Sequence, residues 1–86
     1  PLQLTYAVNA GMSYFNIKDF SLSLKYFKLA KTSKDVSIVE NASRYIALSL
    51  YSMGDNSAAC AEFLKLFNKF PKRMYQQEFR KYCRRK

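Results

Sequence analysis

The chain contains no histidine and no tryptophan, and among its 86 residues only two glycines, two prolines, two cysteines and six acidic side chains. Without histidine, His-based triads and the usual zinc sites are excluded, and acid–base work is left to scattered carboxylates. No glycine-rich phosphate loop is present. Neither an enzyme nor a cofactor is therefore expected. No apolar run approaches the roughly 18 residues of a spanning helix, and no signal-peptide pattern opens the sequence, which leaves the cytoplasm as the default compartment. Cys60 and Cys83 are too few for a disulfide framework and lack metal-ligand spacing. Both read as small buried hydrophobes, with no metal site and no cross-link expected.

What is present is apolar and aromatic. Hydrophobic residues make up 49% of the chain, with seven Phe and seven Tyr, so a core can form despite the small size. The scarce glycines and prolines punctuate helices. From Gly54 to Pro71 the sequence reads as a turn, a helix and a stop. Gly54 can take a positive φ, Asp55 can cap the helix that follows, and Pro71 forbids its continuation. Ala59, Phe63, Leu66, Phe67 and Phe70 then share one helical face.

The segment from Lys18 to Ala30 repeats this design. Asp19 and Asp55 are 36 residues apart, each followed four residues later by a small residue (Ser23, Ala59) and eight later by a phenylalanine (Phe27, Phe63). Each unit is preceded by another apolar-periodic segment. In the first, Leu4, Ala7, Val8, Gly11, Tyr14 and Phe15 form a stripe over about residues 3–16. Gly11 inside that stripe weakens the helix by roughly 1 kcal/mol against Ala, which points to close approach of the paired helix. In the second, Ser37 and Glu40 have capping-box spacing, and Val39, Ala42, Ile46, Leu50 and Met53 form the face. Tyr45, Ala47 and Leu48 widen it, so this helix is expected to be the most buried. A fifth helix from Lys72 carries Tyr75, Phe79, Tyr82 and Cys83 on one side.

At these residues the chain resembles the tetratricopeptide-repeat (TPR) family, whose pattern runs W-x2-L-G-x2-Y, then A-x3-F, then P. In the first unit Gly11, Tyr14 and Phe27 match, Ala7 and Ala10 stand in the tryptophan and leucine slots, Ser23 fills the alanine slot, and Asp35 stands where proline is expected. In the second, Ala59, Phe63 and Pro71 match, with Ser43, Ile46, Ala47 and Leu50 as weaker replacements. The resemblance covers roughly residues 4–73. It implies one all-α domain of TPR-like α-solenoid type: hairpins over about residues 3–32 and 37–70, then a capping helix over about residues 72–85.

The resemblance also implies a function. In the family, the first helices of successive hairpins line a concave groove that receives a peptide or a helix of another protein. Carried over, that face holds Thr5, Val8, Met12, Phe15 and Asn16, then Asn41, Arg44, Leu48, Tyr51 and Ser52. Val8, Phe15 and Leu48 read equally as core. Met12, Arg44 and Tyr51 are the stronger ligand contacts, since Arg44 is the one basic residue between Lys34 and Lys65 and can take a carboxylate bidentately. The lysine and asparagines with which some members clamp a chaperone C-terminus are replaced by Val8, Met12 and Leu48, so that clamp is not expected.

Charge points to a second reading. The net charge is +9, yet residues 1–71 carry eight basic and five acidic side chains, and residues 72–86 carry seven basic and one acidic. Lys72, Arg73, Arg80, Lys81, Arg84, Arg85 and Lys86 are either the solvated face of a capping helix or a dock for an acidic protein, nucleic acid or anionic membrane. The aromatics of this segment share one stripe and are not interleaved with the cations, which disfavours base stacking. Finally, Pro1 begins the chain without a methionine, and Leu2, Leu4, Tyr6, Tyr26 and Leu29 have no preceding hairpin to cover them. The expectation is an excised or processed piece, with further N-terminal repeats, self-association or a partner covering this face.

Overall fold

Short turns divide the described residues into five helices. The computed structural model, which describes residues 4–83, places α1 at Thr5–Asn16, α2 at Phe20–Ala30, α3 at Val36–Ser52, α4 at Asn56–Lys69 and α5 at Arg73–Tyr82. No strand occurs among the described residues. Three residues separate α1 from α2, α3 from α4 and α4 from α5, so these neighbours form helical hairpins. Each helix packs on the next, and α1 also meets α3.

The turns before α2 and α4 owe their form to two successive positions that correspond at the 36-residue offset. Asp19 Oδ1 accepts from the Leu22 amide at 3.2 Å, and Asp55 Oδ1 accepts from the Ala58 amide at the same distance. Each thereby satisfies one amide that the first helical turn leaves without a partner. Gly54 adopts φ +87°, as the turn before Asp55 needs. The equivalent position before Asp19 holds Lys18, which takes φ +66° without glycine's freedom. At the other end, α4 stops at Lys69, Phe70 turns extended (φ −127°, ψ 85°), and Pro71 follows.

Packing is organised around α3. One core cluster gathers Ala7 of α1, Phe27 and Ala30 of α2, and Ala42 and Ile46 of α3. The second joins Ala47 of α3 to Phe63 and Leu66 of α4 and Tyr75 of α5. Adjacent residues Ile46 and Ala47 thus serve opposite clusters, and α3 contributes more buried side chains than any other helix. Several are Ala or Ser, which lets its neighbours approach closely. Phe27 and Phe63, paired by the repeat, are both wholly buried.

At Gly11, α1 is pressed against the Phe27 ring of α2. A Cβ there would lie 2.8–2.9 Å from the Phe27 ring, so only glycine fits without displacement. Ser23 secures the same junction by donating its hydroxyl to the Gly11 carbonyl at 3.0 Å, and the buried Ser49 hydroxyl of α3 lies 3.4 Å from Ser23 Oγ. A serine at this close-packed position is thus accommodated because its hydroxyl is not left unpaired.

Three sequence expectations need correction. Met53 has the spacing of the α3 face but is 49% exposed, because α3 ends at Ser52 and Met53 belongs to the turn. Ser37 and Glu40 do not form a capping box. Asp35 caps α3 instead, its Oδ1 accepting from the Ser37 amide at 3.0 Å and the Ser37 hydroxyl at 2.8 Å. Glu40 turns to α5. Cys60 and Cys83 are not two separate buried thiols but one disulfide, joining α4 to the residue that closes α5 with 5.0 Å between Cα atoms. Burying the α5 stripe against α4 brings these positions together.

Candidate interaction surface

The residues expected to line a groove divide into three kinds. Val8, Met12 and Phe15 of α1 are half-buried against the first cluster, and Leu48 of α3 against the second. Phe15 is further held by edge-to-face contacts with Phe20 and Tyr45, at 5.4 and 5.3 Å between centroids. Asn16, Asn41 and Ser52 are exposed, as is Thr5. Tyr51 is 43% exposed, with its ring edge-on to Tyr82 at 4.5 Å. Tyr82 in turn stacks on Phe63 at 4.8 Å, so the outer ring rests on the buried core.

Arg44 does take a carboxylate, but one from its own chain. Its Nη2 donates to Glu78 Oε2 at 2.8 Å, and its Nε reaches both oxygens of the same carboxylate at 3.2 Å. One turn earlier on α3, Glu40 accepts from Lys72 Nζ at 2.7 Å and from the Tyr75 hydroxyl. A polar seam therefore fastens α5 to α3 alongside its apolar contacts. Sequence inspection missed it because the partners are 32 to 35 residues apart. The Lys72 and Tyr75 hydrogen bonds hold the Glu40 carboxyl below its ordinary value, while burial and Glu40 push the Tyr75 phenol well up. Tyr75 is thus a donor at neutral pH.

The seam makes a pH prediction. A carboxyl whose pKa is lowered on folding adds stability above its unfolded value, about 4.5, and that stability is lost as pH falls through the lower folded value. Glu40→Gln should therefore reduce stability at pH 7 and converge with the parent chain under strong acid. Urea unfolding of both chains from pH 7 to pH 3 checks this. A constant difference across that range would show that Glu40 ionisation does not hold the seam.

All six carboxylates have work within the described fold. Asp19, Asp35 and Asp55 cap helices. Glu40, Glu62 and Glu78 each face a cation. Of the basic residues expected at the C-terminal end, Lys72 is drawn into the seam, whereas Arg73, Arg80 and Lys81 are exposed and make no ion pair among the described residues. Arg84, Arg85 and Lys86 lie outside the described residues, as does Leu2. At the other end Leu4 is buried, Tyr26 stacks on Tyr14 at 5.6 Å, and Tyr6 and Leu29 are exposed. No described helix is long and apolar enough to cross a membrane, and no described group of His, Cys, Asp or Glu could hold a metal ion.

A shallow cleft of about 40 Å³ lies beside α4, lined also by Ser43 of α3 and by Lys31, which closes α2. It includes none of the expected groove residues, and composition alone gave no signal for it. No protein-family model, no curated protein and no solved structure matches this chain.

Proposed function

We propose that the chain is a TPR-like protein–protein interaction module that receives a segment of a partner along α1 and α3. The observation that carries this reading is the α1–α3 contact combined with the side chains these helices leave accessible. Asn16 and Asn41 are exposed, Met12 is half-buried, and Tyr51 is an outward ring supported from beneath by Tyr82. Exposed amides together with an apolar and an aromatic side chain suit a peptide or helix that buries a few anchors and hydrogen-bonds at its edges. The recurrence of capping Asp, close-packed small residue and buried Phe at one offset supports the family resemblance. The commitment of every carboxylate to a cap or cation favours binding over acid–base chemistry.

Exposed Arg73, Arg80 and Lys81 favour a second reading, in which α5 docks on an anionic partner. A photo-crosslinking residue placed at Asn16, Asn41 or Arg80 separates the two. Under the groove reading, one protein partner is labelled from positions 16 and 41, and its capture changes little with salt. Labelling from position 80 alone would overturn that reading, above all if capture falls by orders of magnitude between low and moderate salt, as phosphate contacts do.

A further inference from the structure

Three lysines line the cleft beside α4. Lys31 stands on the α2 side, with Lys65 and Lys69 a turn apart on α4. Glu62 is the acid among them. Nearly buried Ser43, together with Leu66 and Phe70, completes the lining.

These charges are not locked together. Lys31 Nζ lies 3.7 Å from Glu62 Oε1, and Lys65 Nζ lies 3.6 Å from Glu62 Oε2. Both separations exceed hydrogen-bond reach, so each ammonium keeps its donors. The Lys72–Glu40 pair, closed at 2.7 Å, shows the contrast. Lys69 makes no ion pair among the described residues, and its Nζ stands 5.8 Å from the centre of the Phe70 ring. Three cations and one anion leave the cleft with a net charge of +2.

Lysines near helix C-termini also answer the helix dipole, which accounts for Lys31 closing α2 and Lys69 ending α4. It does not account for Lys65, one turn further in, nor for the opening that the three share. From the geometry we infer that this cleft binds a phosphomonoester carried on a peptide, a phosphoserine or phosphothreonine of a protein partner. Such a group carries about −1.5 to −2 charge at neutral pH, which matches the cleft. A carboxylate or a nucleic-acid phosphodiester brings only one negative charge to the same place. Half-buried Phe70 offers a wall to an apolar side chain beside the phosphorylated residue, and that favours a peptide over a bare anion. The site shares no residue with the α1–α3 groove, so either can fail without the other.

The test is fluorescence anisotropy on the full chain with a short labelled peptide bearing one phosphoserine followed by leucine. The same peptide unphosphorylated, a single-stranded oligonucleotide and vesicles containing a phosphoinositide serve as competitors. The phosphopeptide should bind about tenfold or more tighter than its unphosphorylated form, as one or two charge-assisted hydrogen bonds supply. Lys65→Gln with Lys69→Gln should weaken it about tenfold, and Lys69→Gln alone, which breaks no ion pair, should weaken it severalfold. Lys25→Gln with Lys28→Gln, which removes equal charge from exposed positions on α2 outside the cleft, should change it less than about twofold. Equal binding of the two peptides overturns the inference. So does an equal loss in both double variants, which marks diffuse charge attraction, or stronger competition by the oligonucleotide or the vesicles.

Discussion

Phe27→Ala is expected to lower the unfolding free energy by about 3–5 kcal/mol, the range for truncating a fully buried Phe. The ring has no exposed surface, stacks on Tyr45 at 5.2 Å, and faces the bare backbone of Gly11. Alanine there would empty the junction of α1, α2 and α3, which Ser23 and Ser49 also hold in register. A chain of this length has roughly 4–13 kcal/mol of stability in all, so the loss removes much of it. Chemical denaturation monitored by circular dichroism measures the change. A cost below about 1 kcal/mol would show that the first cluster is not the core of the α1–α2 hairpin. The Gly11 contact adds a sharper criterion. Gly11→Ala should be destabilising despite alanine's better helix propensity, because its Cβ meets the ring at under 3 Å. In a Phe27→Leu background that penalty should shrink, a coupling that a double-mutant cycle reads directly.

The parts of the fold legible in the sequence are those determined within a turn or two of chain. Asp19 and Asp55 announce themselves as caps because their partners are three residues away, and Gly54 because the turn needs its φ. Phe27, Phe63 and the Gly11 junction follow from helical periodicity and the repeat. Where a local and a distant option compete, sequence inspection takes the local one. Glu40 has the spacing of a capping box, yet Asp35 already caps that helix, and Lys72 and Tyr75 are within reach once α5 folds back. Arg44, alone in its stretch of sequence, points to an external carboxylate, whereas Glu78 reaches it from α5. Lys18 carries a local signal too, since the repeat aligns it with Gly54 and so marks it for positive φ. The cleft beside α4 had none, because Lys31 and Lys65 are joined only by tertiary packing.

Reduction of the Cys60–Cys83 disulfide is expected to lower stability by about 3 kcal/mol and to loosen α5 before the rest of the fold. The bond closes a loop spanning 23 residues. On the chain-entropy account, a loop of that size restricts the unfolded ensemble by roughly 3–3.5 kcal/mol. Without the bond, α5 keeps one well-buried anchor, Tyr75, with half-buried Phe79 and Tyr82 and the seam to Glu40 and Arg44. Those contacts hold a helix of 10 residues, too short to persist alone in water. No extensive packing joins the first hairpin to α5, so its local protection should change least. Hydrogen exchange with and without a dithiol reductant reads both parts at once. Amides of α5 should exchange faster on reduction, those of α1 and α2 much less, and the melting temperature should fall. In the Cys60→Ser/Cys83→Ser chain the melt should lie near that of the reduced protein and ignore reductant. An unchanged melting temperature on verified reduction would show that apolar packing and the seam hold α5 unaided. The same measurement bears on compartment, because disulfides persist in oxidising surroundings and are reduced by cytosolic thiols. In a reducing compartment the weakened form, with Tyr82 released from Phe63 and Tyr51, would be the one that partners meet.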